Sequence, residues 1–218
     1  MAASPVSVAV PALAFSVLGA APVERAAAPT IAFSLRVDAP GGQAIRSVLL
    51  DVQLQIAARR RRYDADAEER LLDLFGPVKD WGQTLRNLLW TRATIVVPQF
   101  SGSTVVELPV PCTYDMDVLA TRYLDALAGG EVPLELLFSG TVFYAGAGEQ
   151  LQAVRISWEE DAEYRLPVSV WRETMERHFP GAAWLRLGKD SFDRLAAYKA
   201  RRALPSWEAT VDELLGER

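Results

Sequence analysis

The segment "SVLLDVQLQI", residues 47–56, decides the fold class of this 218-residue chain. Its apolar residues recur at every second position: Val48, Leu50, Val52, Leu54 and Ile56. The segment "IAFSLRVD", residues 31–38, has the same period of two. Because neighbouring side chains of a β-strand point to opposite faces, both segments predict antiparallel strands with one face buried in a core.

Strand patterns continue through the first two thirds of the chain. The N-terminus predicts a loose tail and then a first strand, and the further strand candidates are "WTRATIVV" (90–97), "STVVELPV" (103–110), "VPLELLFSGTVFY" (132–144) and "LQAVRISW" (151–158). Gly140 interrupts one of these segments and predicts a β-bulge. Proline cannot donate a hydrogen bond to a strand ladder, so Pro109, Pro111 and Pro133 are predicted at strand ends, edges or bulges.

A helical insertion is predicted between the strands, at about residues 65–87. Asp64 or Asp66 can cap its first helix, and Gly76 with the following proline ends it. The segment "YDMDVLATRYLDALAGG", residues 114–130, fits a helix or a hairpin strand. For residues 115–127 we favour the strand, because a turn sequence follows.

Three helices are predicted in the C-terminal part of the chain. The first begins at Pro167, since helices accept proline at their first position. The second begins at Asp190 or Ser191, and the third follows Ser206 as its N-cap. The residues expected to face inward are Phe192, Leu195, Ala196 and Ala203 of the second helix, and Trp207, Val211, Leu214 and Leu215 of the third.

These patterns predict an α+β protein: an antiparallel β sandwich or strongly bent sheet, with the helical insertion and a C-terminal helical segment. The predicted organisation is a flexible tail at residues 1–12, a β domain at 13–160 and a helical segment at 161–218 packed on it. Half of the residues are apolar and the net charge is −5, as in soluble globular proteins. No segment reaches the roughly 20 apolar residues of a membrane-spanning helix, and the N-terminus lacks the basic start of a signal peptide. We therefore expect a soluble, cytoplasmic protein.

Four consecutive arginines, residues 59–62, raise the question of a nucleic-acid or acidic partner. Between residues 59 and 73 five arginines meet five acidic side chains, so this segment is neutral. Nucleic-acid affinity needs an uncompensated positive surface that releases counterions. We therefore favour a structural role, with partner binding as the alternative. If the preceding strand continues, Arg60 and Arg62 lie on one face and Arg59 and Arg61 on the other.

A second basic segment, residues 186–204, sets six basic side chains against two acidic ones, a local charge of +4. Aromatic residues interleave with them. Such a surface can dock an acidic partner or a nucleic acid, and a solvated amphipathic helix is the alternative. Since the whole protein is acidic, we predict a protein partner. The predicted partner-binding residues are Trp184, Arg186, Lys189, Arg194, Lys199, Arg201 and Arg202.

Residues that could support catalysis are few. His178 is the only histidine, and its place in the last turn of a predicted helix favours a structural cap. Cys112 is the only cysteine, which excludes an intrachain disulfide; it could pair with His178 only if the fold brought the two together. Asp115 and Asp117 would share a face of a strand, where they could form an acid pair or a hard-cation site. No phosphate loop or dinucleotide fingerprint is present, so we assign no cofactor and no catalytic residue.

Several segments of the chain resemble a known family. They are "RRRRYDADAEERLLDLFG", "WGQTLRNLLWTRATIVVPQFSG", "ELPVPCTYDMDVLATRYLDALAGGEVPLELLFSGTVFY", "YRLPVSVWRETMERHFPGAAWLRL" and "YKARRALPSWEATVDELL". Together they resemble an actinobacterial family of unknown function, over nearly the whole chain after residue 12. Members of that family tend to be encoded beside high-affinity nickel–iron hydrogenases and their maturation genes, and the family has no established catalytic residues. The resemblance implies an accessory role in hydrogenase assembly or stability.

The sequence thus leaves three functions open. We favour a non-catalytic accessory or scaffold protein that binds a hydrogenase subunit or maturation factor. The first alternative is a divalent-metal-binding protein or hydrolase that uses Asp115 and Asp117. The second is a chaperone-like homo-oligomer that binds unfolded or extended clients.

Overall fold

The computed structural model of the protein describes residues 10–116, 118–146, 149–157 and 159–216. These residues divide into two compact units, one that ends at Ala183 and one that begins at Trp184. The strands are β1 Ala14–Pro22, β2 Thr30–Asp38, β3 Ala44–Ile56, β4 Leu88–Val97, β5 Phe100–Ser101, β6 Ser103–Pro111, β7 Glu131–Ala145, β8 Leu151–Arg155 and β9 Asp161–Pro167. The α-helices are α1 Ala65–Arg70, α2 Leu72–Phe75, α3 Trp81–Thr84, α4 Leu119–Asp125, α5 Val168–His178, α6 Lys189–Arg201 and α7 Trp207–Leu215. None of the described helices has the length and apolar composition to cross a membrane.

The strands form two antiparallel sheets in the first unit. One sheet has the order β1-β2-β6. The other has the order β4-β3-β7-β8, with β5 beside β3 and β9 beside β7. The predicted α+β class, with packed antiparallel sheets, a helical insertion and C-terminal helices, is confirmed. Residues 1–9 of the predicted tail lie outside the described residues.

The period of two in β2 and β3 reflects one buried face on each strand. The alternate residues of both strands are almost fully buried and belong to one hydrophobic cluster. Phe15 of β1 stacks on Phe138 of β7, with ring centroids 4.2 Å apart, so an aromatic pair joins the two sheets. Aromatic pairs in offset stacks add to the stabilisation from burial alone.

The longest strand, β7, organises the larger sheet. It pairs with β3 from Ile45↔Tyr144 to Ile56↔Leu134. On its other edge β7 pairs first with β9 and then, from Thr141 onward, with β8. Two short strands therefore share one edge of a single long strand.

Gly140 lies where β7 changes partner. The predicted bulge at Gly140 is wrong, because this residue stays in register opposite Leu50, and the register shift lies between Ile45 and Ser47. Gly140 has φ +139°, and a Cβ there would lie 2.0 Å from the carbonyl oxygen of Leu49. The glycine is therefore required by the close approach of β3.

The helical insertion docks through a cluster of four aromatic rings. Asp64 caps α1 by accepting a hydrogen bond from the amide of Ala67 at 2.8 Å, and Gly76 ends α2 with φ +72°. The ring pairs of the cluster are edge-to-face, with centroids 5.1 to 6.4 Å apart. Its members are Tyr63, Phe75, Trp81 and Tyr123.

The strand favoured for residues 115–127 is wrong, because residues 119–125 form helix α4. Ala120, Tyr123 and Leu124 are buried, a spacing typical of one helical face. The hydroxyls of Tyr123 and Tyr63 lie 2.8 Å apart. Burial raises the pKa of both phenols. Contacts with the helical insertion therefore favour a helix here, although the turn sequence that follows had favoured a strand.

The four arginines follow the end of β3, and three of them bind distant parts of the chain. Arg59 donates to the carbonyl oxygen of Gly82 at 2.8 Å. Arg61 donates to the carbonyl oxygens of Gly129, at 2.6 Å, and Glu131. The strand does not continue through the run, since Ala58–Arg60 form a 3₁₀ turn. The favoured structural role agrees with these contacts.

Arg60 offsets a repulsion between two strands. Glu135 of β7 lies directly opposite Glu163 of β9, and like charges at such positions destabilise a sheet. The Arg60 guanidinium lies 2.8 Å from Glu135 and 2.5 Å from Glu163. One arginine therefore bridges both carboxylates.

The segment predicted to be helical from residue 161 begins with a strand. β9 buries Ala162 and Leu166 against β7, and α5 begins directly after Pro167. Residues 162, 164 and 166 alternate with polar residues, as expected for a strand. The sequence analysis missed this strand because the composition of the chain changes after β8. Strand β9 and helix α5 both belong to the first unit.

We predict that Gly140→Ala destabilises the protein by at least about 2 kcal/mol, because the added methyl group meets the Leu49 carbonyl and the φ angle is unfavourable for alanine. Urea unfolding followed by circular dichroism measures the change. Gly82→Ala is the control, since a Cβ at Gly82 has no neighbour within 4 Å. Equal stability of the two variants would contradict the close approach at Gly140.

We predict that Arg61→Ala lowers the free energy of unfolding by about 2 kcal/mol, because two charge-assisted hydrogen bonds to backbone carbonyls are lost. Arg62 is exposed and makes no hydrogen bond or ion pair within the described residues. Arg62→Ala should therefore change the free energy by less than about 0.5 kcal/mol. Similar losses in both variants, by chemical denaturation, would refute the anchoring role of Arg61.

Candidate functional site

The second unit contains α6 and α7, which we call the C-terminal hairpin. Ser206 caps α7 as predicted, accepting a hydrogen bond from the amide of Ala209 at 3.0 Å. Glu213 of α7 accepts hydrogen bonds from Tyr198 at 3.2 Å and from Nε of Arg202 at 2.6 Å. These polar contacts hold the two helices side by side.

The apolar side chains of the C-terminal hairpin are exposed. The prediction that Trp207, Val211, Leu214 and Leu215 face inward is wrong, since their exposed fractions are 42%, 46%, 54% and 68%. Helix α6 has no buried residue, and α7 buries only Thr210. Thr210 is buried and Glu213 binds Tyr198 and Arg202, whereas the apolar stripe of α7 is exposed.

Three of the predicted partner-binding residues are engaged inside the hairpin. Lys189 forms an ion pair with Asp193 one helical turn away. Lys199 donates to the carbonyl oxygen of Leu204 at 2.7 Å and lies 5.7 Å from the ring centre of Trp207. Arg202 binds Glu213, and hydrogen bonds to Tyr198 and Glu213 raise its pKa.

The other predicted residues differ in position and surroundings. Trp184 and Arg186 precede α6, and Trp184 is 62% exposed. Arg194 and Arg201 are exposed, and within the described residues neither makes a hydrogen bond or an ion pair. They are seven positions apart, about two helical turns, so they lie on one face of α6.

Arg194 and Arg201 line a groove of about 510 Å³. Its wall includes Leu195 and Tyr198 of α6 and Leu214 of α7. We call this the arginine groove. It combines apolar contact surface with two positive charges that have no partner in the described chain, an arrangement suited to protein binding.

A second concave region lies between α4 and α5 in the first unit, with a volume of about 420 Å³. Tyr114 donates to Asp125 at 3.4 Å and stacks on Phe179 with ring centroids 5.6 Å apart. Burial and the nearby Asp125 carboxylate raise the pKa of Tyr114. Arg172 donates to the carbonyl oxygen of Leu127 at 2.8 Å. The sequence did not predict this cleft, because its lining comes from separate segments, one of which was predicted as a strand.

Of the predicted acid pair Asp115 and Asp117, the structure describes only Asp115. Asp115 lies beyond the end of β6 at Pro111, and its backbone amide donates to the Thr113 hydroxyl at 3.1 Å. Asp117 lies outside the described residues. Among the residues that are described, no group of three or more His, Cys, Asp or Glu could hold a metal ion.

Cys112 and His178 have separate roles in the structure. The Cys112 thiol is buried and donates to the carbonyl oxygen of Val110 at 3.4 Å. Burial raises its pKa to about 12. His178 lies in the last turn of α5, as predicted, with its ring nitrogens 3.0 Å from the Thr174 carbonyl oxygen and 3.3 Å from that of Ala26. No hydrogen bond in the described structure joins the cysteine to the histidine.

The sequence profile of a family of unknown function, DUF6084, matches residues 10–218. The chain belongs to this family. No curated protein is similar enough in sequence to match it.

Three solved structures resemble the chain at low identity. The CARDB domain of a Pyrococcus furiosus protein, solved with di-metal ions, is 12% identical, with 72% of this chain and 92% of that one covered and a TM-score of 0.28. The putative ApaA protein from Bordetella pertussis is 13% identical, with coverage of 72% and 93% and a TM-score of 0.23. A β-glucosidase from Kluyveromyces marxianus is 10% identical with a TM-score of 0.25; 71% of this chain is covered, but only 15% of the enzyme. None of these likenesses assigns a function.

We predict that Cys112 is inert in the folded protein. With a pKa of about 12, only about one thiol in ten thousand is ionised at pH 8, and the thiolate is the reactive form. A colorimetric thiol reagent at pH 8 should therefore react with less than about a tenth of the cysteine in an hour and with all of it in guanidinium chloride. Rapid stoichiometric reaction of the native protein would show that the thiol is accessible and activated.

Proposed function

We propose that this protein is a non-catalytic accessory protein that binds another protein through its C-terminal hairpin. One observation carries the proposal: the hairpin presents exposed apolar side chains beside two arginines that have no partner in the described chain. Arginine and large aromatic residues contribute most to protein interfaces. Exposed Trp184 and Trp207 supply the aromatic component.

The charge distribution of the hairpin favours a protein partner over a nucleic acid. Helix α7 carries Glu208, Asp212 and Glu213 beside the basic α6, and these carboxylates repel a uniform polyanion. A protein surface can place its acidic groups opposite α6 alone. This complementarity supplies specificity and speeds association.

We further propose that the partner is a nickel–iron hydrogenase subunit or a maturation factor, and that binding takes place in the cytoplasm. The support for this partner is the family resemblance of the sequence. The accessory protein would then act on assembly or stability of the hydrogenase.

Charge reversal at the arginine groove should weaken partner capture. We predict that Arg194→Glu with Arg201→Glu reduces the recovery of hydrogenase subunits or maturation factors at least about tenfold in affinity purification from the native cell, because both charges lie at the proposed contact. Arg62→Glu is the matched control, since it also reverses an exposed arginine with no partner in the described residues. Circular dichroism should show unchanged folding in both variants.

Two outcomes would overturn the proposal. If the wild-type protein recovers no hydrogenase or maturation component, the partner is wrong. If the groove variant recovers the same components as the wild type, the hairpin is not the binding surface.

A further inference from the structure

The C-terminal hairpin is too small to be stabilised by what it buries. The second unit begins at Trp184, and among its described residues only Thr210 is buried. Chains shorter than about 40 residues usually need a disulfide, a metal or oligomerisation to build a stable core. The apolar residues that lie uncovered are Leu185, Phe192, Trp207, Val211, Leu214 and Leu215. A second surface that covers them would supply the missing burial.

The two helices of the hairpin carry opposite charge at their exposed positions. On α6, Arg194 and Arg201 make no ion pair or hydrogen bond in the described chain. On α7, Glu208 and Asp212 are exposed one turn apart and form no ion pair there. Hydrogen bonds from its own backbone amide and from Ser206 lower the pKa of Glu208, so this carboxylate is ionised at neutral pH. The hairpin therefore carries both halves of a complementary charge pattern.

We propose that the hairpin of a second copy of this chain covers the first, with α6 of each copy along α7 of the other. The four helices form a two-fold symmetric bundle, in which each Arg194 and Arg201 faces Glu208 and Asp212 of the other copy. A two-fold interface must be self-complementary, and this charge pattern meets that condition. Exposed Val211, Leu214 and Leu215 lie in the bundle interior, as apolar faces do in four-helix bundles.

A second copy fits this surface better than an acidic peptide. A peptide with only acidic groups satisfies Arg194 and Arg201 but meets repulsion from Glu208 and Asp212. A second hairpin satisfies all four residues and contributes an equal apolar stripe. This inference rests on the proposed function in one respect, that the hairpin is a protein-binding surface, and it concerns the protein before another partner binds.

A charge-swap experiment tests the dimer. Sedimentation equilibrium of the purified full-length protein at 150 mM salt should show a wild-type dimer, and Arg62→Glu should leave it unchanged. R194E/R201E should weaken dimerisation at least a hundredfold, because four attractive pairs become repulsive. E208K/D212K should have the same effect from the opposite side. An equimolar mixture of the two variants should form a heterodimer, because the acidic α6 of one variant then lies along the basic α7 of the other, and the basic α6 along the acidic α7.

A charge exchange within one chain provides a second test. R194E/E208K reverses both charges of one pair, so the two side chains remain opposite in charge in its homodimer. This double variant should dimerise within about tenfold of the wild type, whereas R194E alone should not. Restoration also shows that loss of dimer in the single variant is not loss of folding. Circular dichroism of each variant provides the same check independently.

The outcomes separate this inference from the proposed function. A wild-type monomer throughout 1–200 µM, or a dimer that R194E/R201E leaves intact, would overturn the second-copy arrangement. If the protein is monomeric and the groove variant still loses hydrogenase components in affinity purification, the proposed function stands and this inference fails. If the dimer forms as described and no hydrogenase component is recovered, the reverse holds.

Discussion

The pairing of β3 with β7 is the contact on which the rest of the first unit depends. β7 gives one edge to β3 and divides the other between β9 and β8. The division occurs at Gly140, where the absence of a side chain lets the two long strands approach. Because β3 also carries β4 and β5 on its far edge, a displaced β3 would remove the template for most of the larger sheet. The smaller sheet then closes the core through contacts such as Phe15 on Phe138.

Three of the four consecutive arginines bind groups far away in sequence and not the acids that follow them, although the local charge balance did indicate a structural role. Within residues 59–73 the acids balance the arginines, which suggests that the two groups pair with each other. The structure uses them separately. Arg60 binds glutamates of β7 and β9, and Arg61 binds backbone carbonyls at the start of β7. Arginine suits this work because its planar fork can donate to two acceptors at once.

The sequence predicted the elements whose pattern depends on one buried face and failed where tertiary contact decides. β2 and β3 were identified because their period of two is a direct record of burial. Helix α4 was missed because Tyr123 is fixed by rings from the distant insertion. The stripe on α7 was recognised, but periodicity shows which face is apolar and not what covers it. For the same reason the sequence could place these basic and aromatic residues in one segment. It could not show that Lys189, Lys199 and Arg202 have partners inside the hairpin, whereas Arg194 and Arg201 have none within the described residues.

The contact of Arg60 with Glu163 can form only late in the synthesis of the chain. Arg60 and Glu163 are 103 positions apart in sequence, so the ribosome must add about a hundred residues before that bridge can form. Until β7 and β9 emerge, β3 has no partner on its central edge and exposes its hydrogen-bonding groups. Folds that depend on such distant pairings form slowly and are vulnerable to aggregation meanwhile. The larger sheet of the first unit therefore stays incomplete in the interval between synthesis of residue 56 and residue 163.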